Sequence, residues 1–170
     1  KLSINLAVTA NNNIAVKGYG MDGFATGKLA VKSPYNSATK LMGNLSLLGK
    51  FETYGQKFQI KKGNLIYNND LVYAPRLDIL TERYIEAEDI TVGLEITGSA
   101  INPKTRTVSN PSMTDSEALS WLLFGQGISK VSASQAQSIN SKSLALNAGG
   151  NLLVGSIGKS IGLDEASITE

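Results

Sequence analysis

The feature that most constrains this chain is an alternation of apolar and polar residues with a period of two, repeated many times and broken by turn residues. Leu2, Ile4, Leu6 and Val8 fall on one side of an extended backbone, with Lys1, Ser3, Asn5 and Ala7 on the other. That is the pattern of a strand with one face in the core, because successive side chains of a strand point to opposite faces. The pattern returns at Ile14 and Val16, at Leu29 and Val31, and at Leu41, Leu45 and Leu47. It recurs at Phe58 and Ile60, Leu65 and Tyr67, Leu71 and Tyr73, and Leu77 and Ile79, and ends with its longest run at Ile90, Val92, Leu94, Ile96, Gly98 and Ala100. Asn11-Asn12-Asn13 and Asn68-Asn69-Asp70 read as turns, since Asn and Asp tolerate left-handed backbone and bond to it locally. About nine strands at this spacing predict an antiparallel meander, which at roughly 4.8 Å per strand has a face on the order of 40 Å across.

Beyond Pro111 the pattern changes. Thr114-Asp115-Ser116-Glu117 predicts a capping box, with Thr114 and Glu117 each satisfying the other's free backbone donor. A helix then runs through Trp121 and Phe124 to a stop at Gly125-Gln126-Gly127, apolar on so many sides that it needs cover from several directions. Two further helices are expected, one over Ser132–Asn147 and one over the apolar, glycine-interrupted 151–163. The division is a β region over 1–110 and a helical tail of the same domain over 111–170.

Composition removes most chemistry. The 170 residues contain no Cys and no His, so thiol nucleophiles, imidazole bases and the commonest transition-metal ligands are absent. A net charge of +2 falls far short of a nucleic-acid-binding surface. No apolar run reaches the roughly 20 residues of a membrane helix. Opening on Lys1-Leu2-Ser3-Ile4, which reads as the middle of a strand, the chain is expected to be a piece of a longer protein.

Motifs that suggest catalysis fail on context. Gly18-Tyr19-Gly20-Met21-Asp22-Gly23 matches a dinucleotide fingerprint, but Phe24 to Lys32 alternates as a strand where that motif needs a helix, so the glycines read as a hairpin. Gly158-Lys159-Ser160 resembles the end of a phosphate-binding loop, but Leu153 stands where the motif needs Gly. Gly158 and Gly162 are spaced for close helix packing. Glu82, Glu86, Glu88 and Asp89 match no calcium loop and read as a solvated segment in which Arg83 pairs with an acid. No catalytic residue, metal ligand or cofactor is expected, and the chain reads as non-enzymatic.

Between Gly49 and Gly125 the sequence resembles the C-terminal domain of the TamB family, the inner-membrane-anchored component of the translocation and assembly module of Gram-negative bacteria. Gly49-Lys50-Phe51 with Tyr54-Gly55-Gln56, followed by Phe58, Ile60, Gly63, Leu65 and Tyr67, is similar to the family's first block. Pro75, Leu77, Ile79 and Arg83 are similar to the next. Val92-Gly93-Leu94-Glu95-Ile96-Thr97-Gly98 leading to Asn102-Pro103-Lys104 resembles a third. Ser109-Asn110-Pro111-Ser112-Met113 with Leu119-Ser120-Trp121-Leu122-Leu123 and Gly125 resembles the most specific signature, with Asn110 in place of the usual Asp and Trp121 in place of Tyr. A β segment expected after the helical tail is missing.

The resemblance implies a mainly β fold, an elongated antiparallel sheet curled into a U-shaped trough with an apolar interior. It also implies a place in the periplasm, within a protein held in the inner membrane by a segment outside this chain. The implied partners are an outer-membrane barrel of the TamA type, phospholipid acyl chains and nascent outer-membrane proteins, autotransporters included. The expected groove lining is Leu2, Ile4, Leu6, Leu29, Val31, Leu41, Leu45, Leu47, Phe58, Ile60, Leu65, Tyr67, Leu77, Ile79, Val92, Leu94 and Ile96. Alternation alone favours a closed β-sandwich that meets partners by adding a strand to an open edge, and it is the resemblance that turns the reading toward a trough.

Overall fold

A computed structural model describes residues 3–18 and 20–147. The alternating segments form seven strands: β1 (Ile4–Gly18), β2 (Met21–Ser33), β3 (Lys40–Thr53), β4 (Gln56–Leu71), β5 (Arg76–Ile85), β6 (Ile90–Ser99) and β7 (Asn102–Asn110). Each pairs antiparallel with the next, so spatial order equals chain order in one open, curled sheet. Two helices follow, α1 (Asp115–Phe124) and α2 (Ala133–Asn147). The expected mainly β trough with a short helical end is the observed fold.

The nine expected segments make up six of these strands, since Ile14 and Val16 belong to β1 and Phe58, Ile60, Leu65 and Tyr67 to the single strand β4, while β7 lies beyond the expected segments. Two Asn-rich runs expected as turns are absorbed inside strands. The first lies within β1, where the register jumps from Ala10 opposite Gly27 to Ile14 opposite Ala25. Four residues of β1 therefore advance against two of β2, a bulge where a turn was expected. The second lies within β4: Asn68 pairs with Met42 and Asp70 with Leu41, leaving Asn69 as the extra residue at φ 61°. The Asp70 carboxylate accepts the Asn68 N–H at 2.7 Å, which satisfies the donor that the bulge leaves out of the ladder. The chemistry that marks Asn and Asp as turn formers also suits a bulge. The chain reverses after Leu71 instead, where the Ala74 N–H donates to the Leu71 carbonyl at 2.9 Å, so Leu71 and Tyr73 form no separate strand.

Residues directly opposite in an antiparallel pair share a face. One row across the inner face runs Gly27, Leu45, Leu65, Leu77 and Gly98; a second pairs Ile79 with Ile96, and a third joins Met21, Phe51 and Phe58. The hairpin expected at Gly18–Gly23 is the β1–β2 connection, with Gly18 opposite Met21. Gly23, though, lies within β2 opposite Gly49, and a Cβ on Gly23 would sit 2.1 Å from the Leu48 carbonyl oxygen. Gly23 is thus required by the close approach of two strands.

Helix α1 starts and stops where the sequence predicts. The Thr114 hydroxyl accepts the Glu117 N–H at 3.3 Å, and Gly125 ends the helix at φ 67°. The other half of the capping box does not form. The Glu117 carboxylate instead accepts the Trp121 indole N–H at 3.0 Å and the Ile128 N–H at 3.2 Å. A mostly buried indole needs a partner, and Glu117, one turn earlier, is within reach. Ala118 to Leu123 are six consecutive buried residues. That is possible only for a helix covered on several sides, here by β4, β6 and β7 on one and α2 on another. The expected helix over Ser132–Asn147 is α2, anchored by the fully buried Ile139. The expected helix over 151–163, the Gly158 and Gly162 pair and the Gly158-Lys159-Ser160 run lie outside the described residues.

Candidate functional site: an apolar face sealed at one end

The apolar face is continuous, but its cover is not. At the β1 end, Ile4, Leu6, Val8 and Ile14 are 49%, 55%, 42% and 53% exposed. Phe24 and Leu48, on the opposite face, are no more accessible at 47% and 51%. Leu29 and Val31 of β2 and Leu45 of β3 are partly buried at the margin of the core, whereas Leu41 and Leu47 are buried. From β4 onward the face is closed: Phe58, Ile60, Leu65, Tyr67, Leu77 and Ile79 are buried, and Val92, Leu94 and Ile96 are 0%, 1% and 0% exposed. The cover there includes Leu119, Trp121, Leu122 and Leu123 of α1, which belong to the same cluster.

Pairing shows why the gradient runs this way. Leu6 faces Val31, and Val31 faces Leu41; Val8 faces Leu29, and Leu29 faces Gly43. These rows continue toward the core, but α1 is only ten residues long, about 15 Å, and packs over β4, β6 and β7. Any contact with β1 is weaker than with each of these strands. Sequence reading left Met21, Phe51 and Ile90 out of the lining, although all three are buried in the same cluster. Met21 and Phe51 were findable, since each extends a period-two run, Met21 through Gly23, Ala25 and Gly27 to Leu29, and Phe51 from Leu45, Leu47 and Gly49. Leu2 lies outside the described residues.

Polar groups on this face are few and engaged. Thr81 is buried and donates to the Leu94 carbonyl at 3.4 Å. Tyr67 donates its phenol proton to the Val72 carbonyl at 2.9 Å, and burial pushes its pKa up to about 12. Arg83, expected to pair with a neighbouring acid, turns inward and donates to the Trp121 carbonyl at the end of α1, 3.4 Å away. Burial lowers its pKa, and the helix C-terminus supplies the partial negative charge that it meets. Around it, Asp89 accepts the Tyr84 hydroxyl at 2.9 Å and Glu88 lies 4.0 Å from Lys130, an arrangement of surface contacts. Among the described residues, no group of three or more carboxylates is placed to hold a metal ion.

The family model for the TamB C-terminal domain matches residues 1–170 of this chain. This chain belongs to that family. The match extends well beyond the Gly49–Gly125 blocks, to the strands before Gly49 and the residues after Gly125. The chain is also 28% identical to the translocation and assembly module subunit TamB of Haemophilus influenzae, over 96% of its own length and 13% of that relative's. The chain therefore spans about an eighth of that relative's length.

Proposed function

We propose that this TamB-family segment is a non-enzymatic part of outer-membrane biogenesis, and that the open stretch of its apolar face shields hydrocarbon crossing the periplasm. The observation that carries this reading is the contrast within one sheet face. Leu6 is about half exposed while Leu94, four strands or more away on the same face, is sealed. Solvent-facing aliphatic rows of this kind mark a surface built to be covered by something else. Each acyl methylene moved from water onto such a lining contributes roughly 0.8 kcal/mol, so a short stretch of chain already binds usefully without a polar anchor. Family membership supports the setting: a periplasmic place, a longer protein anchored in the inner membrane, and a barrel of the TamA type as partner in the outer membrane.

A second reading, that a nascent outer-membrane strand adds to the sheet, is favoured by the β1 edge. From Ser3 to Val16 there is no charged residue. β7, at the other edge, carries Pro103, Lys104 and Arg106 and touches α2. Pro and charged residues are what guard an edge against pairing, and β1 lacks them over most of its length. Organic extraction of the purified chain followed by mass spectrometry separates the two. Phospholipid recovered from the wild type and depleted in Leu6→Asp supports the groove. Lipid-free protein that crosslinks to a barrel protein through β1 supports strand addition.

A further inference from the structure

The convex face of the sheet carries a feature that the apolar groove does not use. An open cavity of about 410 Å³ lies where β3, β4, β5 and β6 meet near the β3–β4 hairpin, walled by Lys50, Lys57, Gln59, Lys61, Glu82, Tyr84 and Thr91. The register places these groups together: Lys50 faces Gln59, Gln59 faces Glu82, Glu52 faces Lys57 and Tyr84 faces Thr91. Lys61 is the extra residue of a bulge, because Ile60 pairs with Thr81 while Lys62 already pairs with Leu80. The bulge adds a second lysine beside Lys62 at the sheet surface.

The two lysines at this bulge differ in their electrostatics. Lys62 is neutralised by Asp78 at 2.8 Å. Among the described residues, Lys50, Lys57 and Lys61 have no carboxylate within ion-pairing distance, the pairs formed being Lys17–Asp22, Lys62–Asp78, Arg106–Glu95 and Lys130–Glu88. Three ammonium groups without an ion-pair partner therefore share one concavity with a single lining carboxylate, Glu82, in a chain whose whole net charge is +2.

We propose that this cavity is an anion site for a phosphate ester of about the size of a glycerophosphate headgroup. Its volume is within the range of small-ligand pockets. Ammonium groups on flexible stems converge on a phosphate as point donors, and the Gln59 amide and Thr91 hydroxyl supply neutral ones. The cations are gathered in a hollow rather than strung along the sheet, which suits a compact anion better than a polymer backbone. The site does not depend on the groove reading, since it is on the other face.

The test is titration of the isotopically labelled chain with glycerol 3-phosphate, with inorganic phosphate and with sodium chloride at matched ionic strength, followed by amide NMR. Flotation with phosphatidylglycerol and phosphatidylcholine vesicles runs in parallel. The expected result is saturable shifts at Lys57, Gln59, Lys61 and Thr91 with both phosphates and none with chloride. They should weaken at least tenfold in the K50Q/K57Q/K61Q variant, since three charge-assisted donors to the phosphate are lost together. These exposed side chains leave folding intact, which an unchanged unfolding midpoint checks. Flotation with phosphatidylglycerol that the triple variant loses identifies a lipid headgroup as the source. Saturable shifts without flotation identify a free phosphate ester. Non-saturating shifts, shifts equal to those from chloride, or binding unaltered in the triple variant would overturn the proposal.

Discussion

The two ends of this sheet are built from the same kind of strand and end in opposite conditions. Over β5 and β6, Ile79, Val92, Leu94 and Ile96 are out of contact with water, beneath a helix whose six central residues are themselves buried. Over β1, Ile4, Leu6 and Val8 repeat the same alternation and stay about half exposed. Strand pattern therefore does not decide which residues form a core. What decides it is whether another element reaches them, and a ten-residue helix packs mainly over one end. The sealed end supplies stability, and in the function proposed above the open end takes the client.

The comparison can be broken most forcefully at the sealed end. Leu94→Ala removes a side chain with neighbours on all sides and is expected to cost about 2–5 kcal/mol in chemical denaturation. A loss below about 1 kcal/mol would mean that α1 does not pack as described. Thr114→Ala removes the cap that starts α1 and is expected to cost roughly 1 kcal/mol. Protection from hydrogen exchange should fall over α1 and β6 and remain unchanged over β1.

Tyr67 supplies a pH-dependent test. Its phenol is held neutral by burial, with a folded pKa of about 12 against an ordinary 10.0. Ionisation is therefore easier in the unfolded chain. The contribution of the neutral phenol is complete below pH 10 and is lost as pH rises from about 10 toward about 12. Tyr67→Phe should flatten this part of the stability profile and, through loss of the bond to the Val72 carbonyl, cost about 1 kcal/mol at neutral pH. The smallest effect is expected at the open end. Leu6→Ser should change stability by less than about 0.5 kcal/mol while depleting co-purified phospholipid. A large destabilisation would place β1 in the core and remove the contrast.

Much of the fold was legible because period two is a local property. The inner-face residues of β5 and β6, and the limits of α1 at Thr114 and Gly125, follow from spacing and capping chemistry alone. The misreadings came from residues whose local chemistry serves two purposes. Asn69 adopts left-handed backbone equally well in a turn or a bulge, and only the register against β3 separates the two. Glu117 is placed to complete a capping box, but the Trp121 indole competes for it once the helix is docked. The apolar face of the sheet was legible too, whereas its cover was not. Nothing near Leu6 or Leu94 in sequence says that α1 packs mainly at the end that holds Leu94.

The most direct test of the open end uses stearate carrying a nitroxide near the end of its acyl chain, with methyl NMR of the labelled protein as the readout. The account predicts paramagnetic broadening of the Ile4, Leu6, Val8, Leu29 and Val31 methyls, with Val92, Leu94 and Ile96 spared. Broadening at Leu94 with Leu6 unaffected, or no saturable broadening on this face at all, would contradict it.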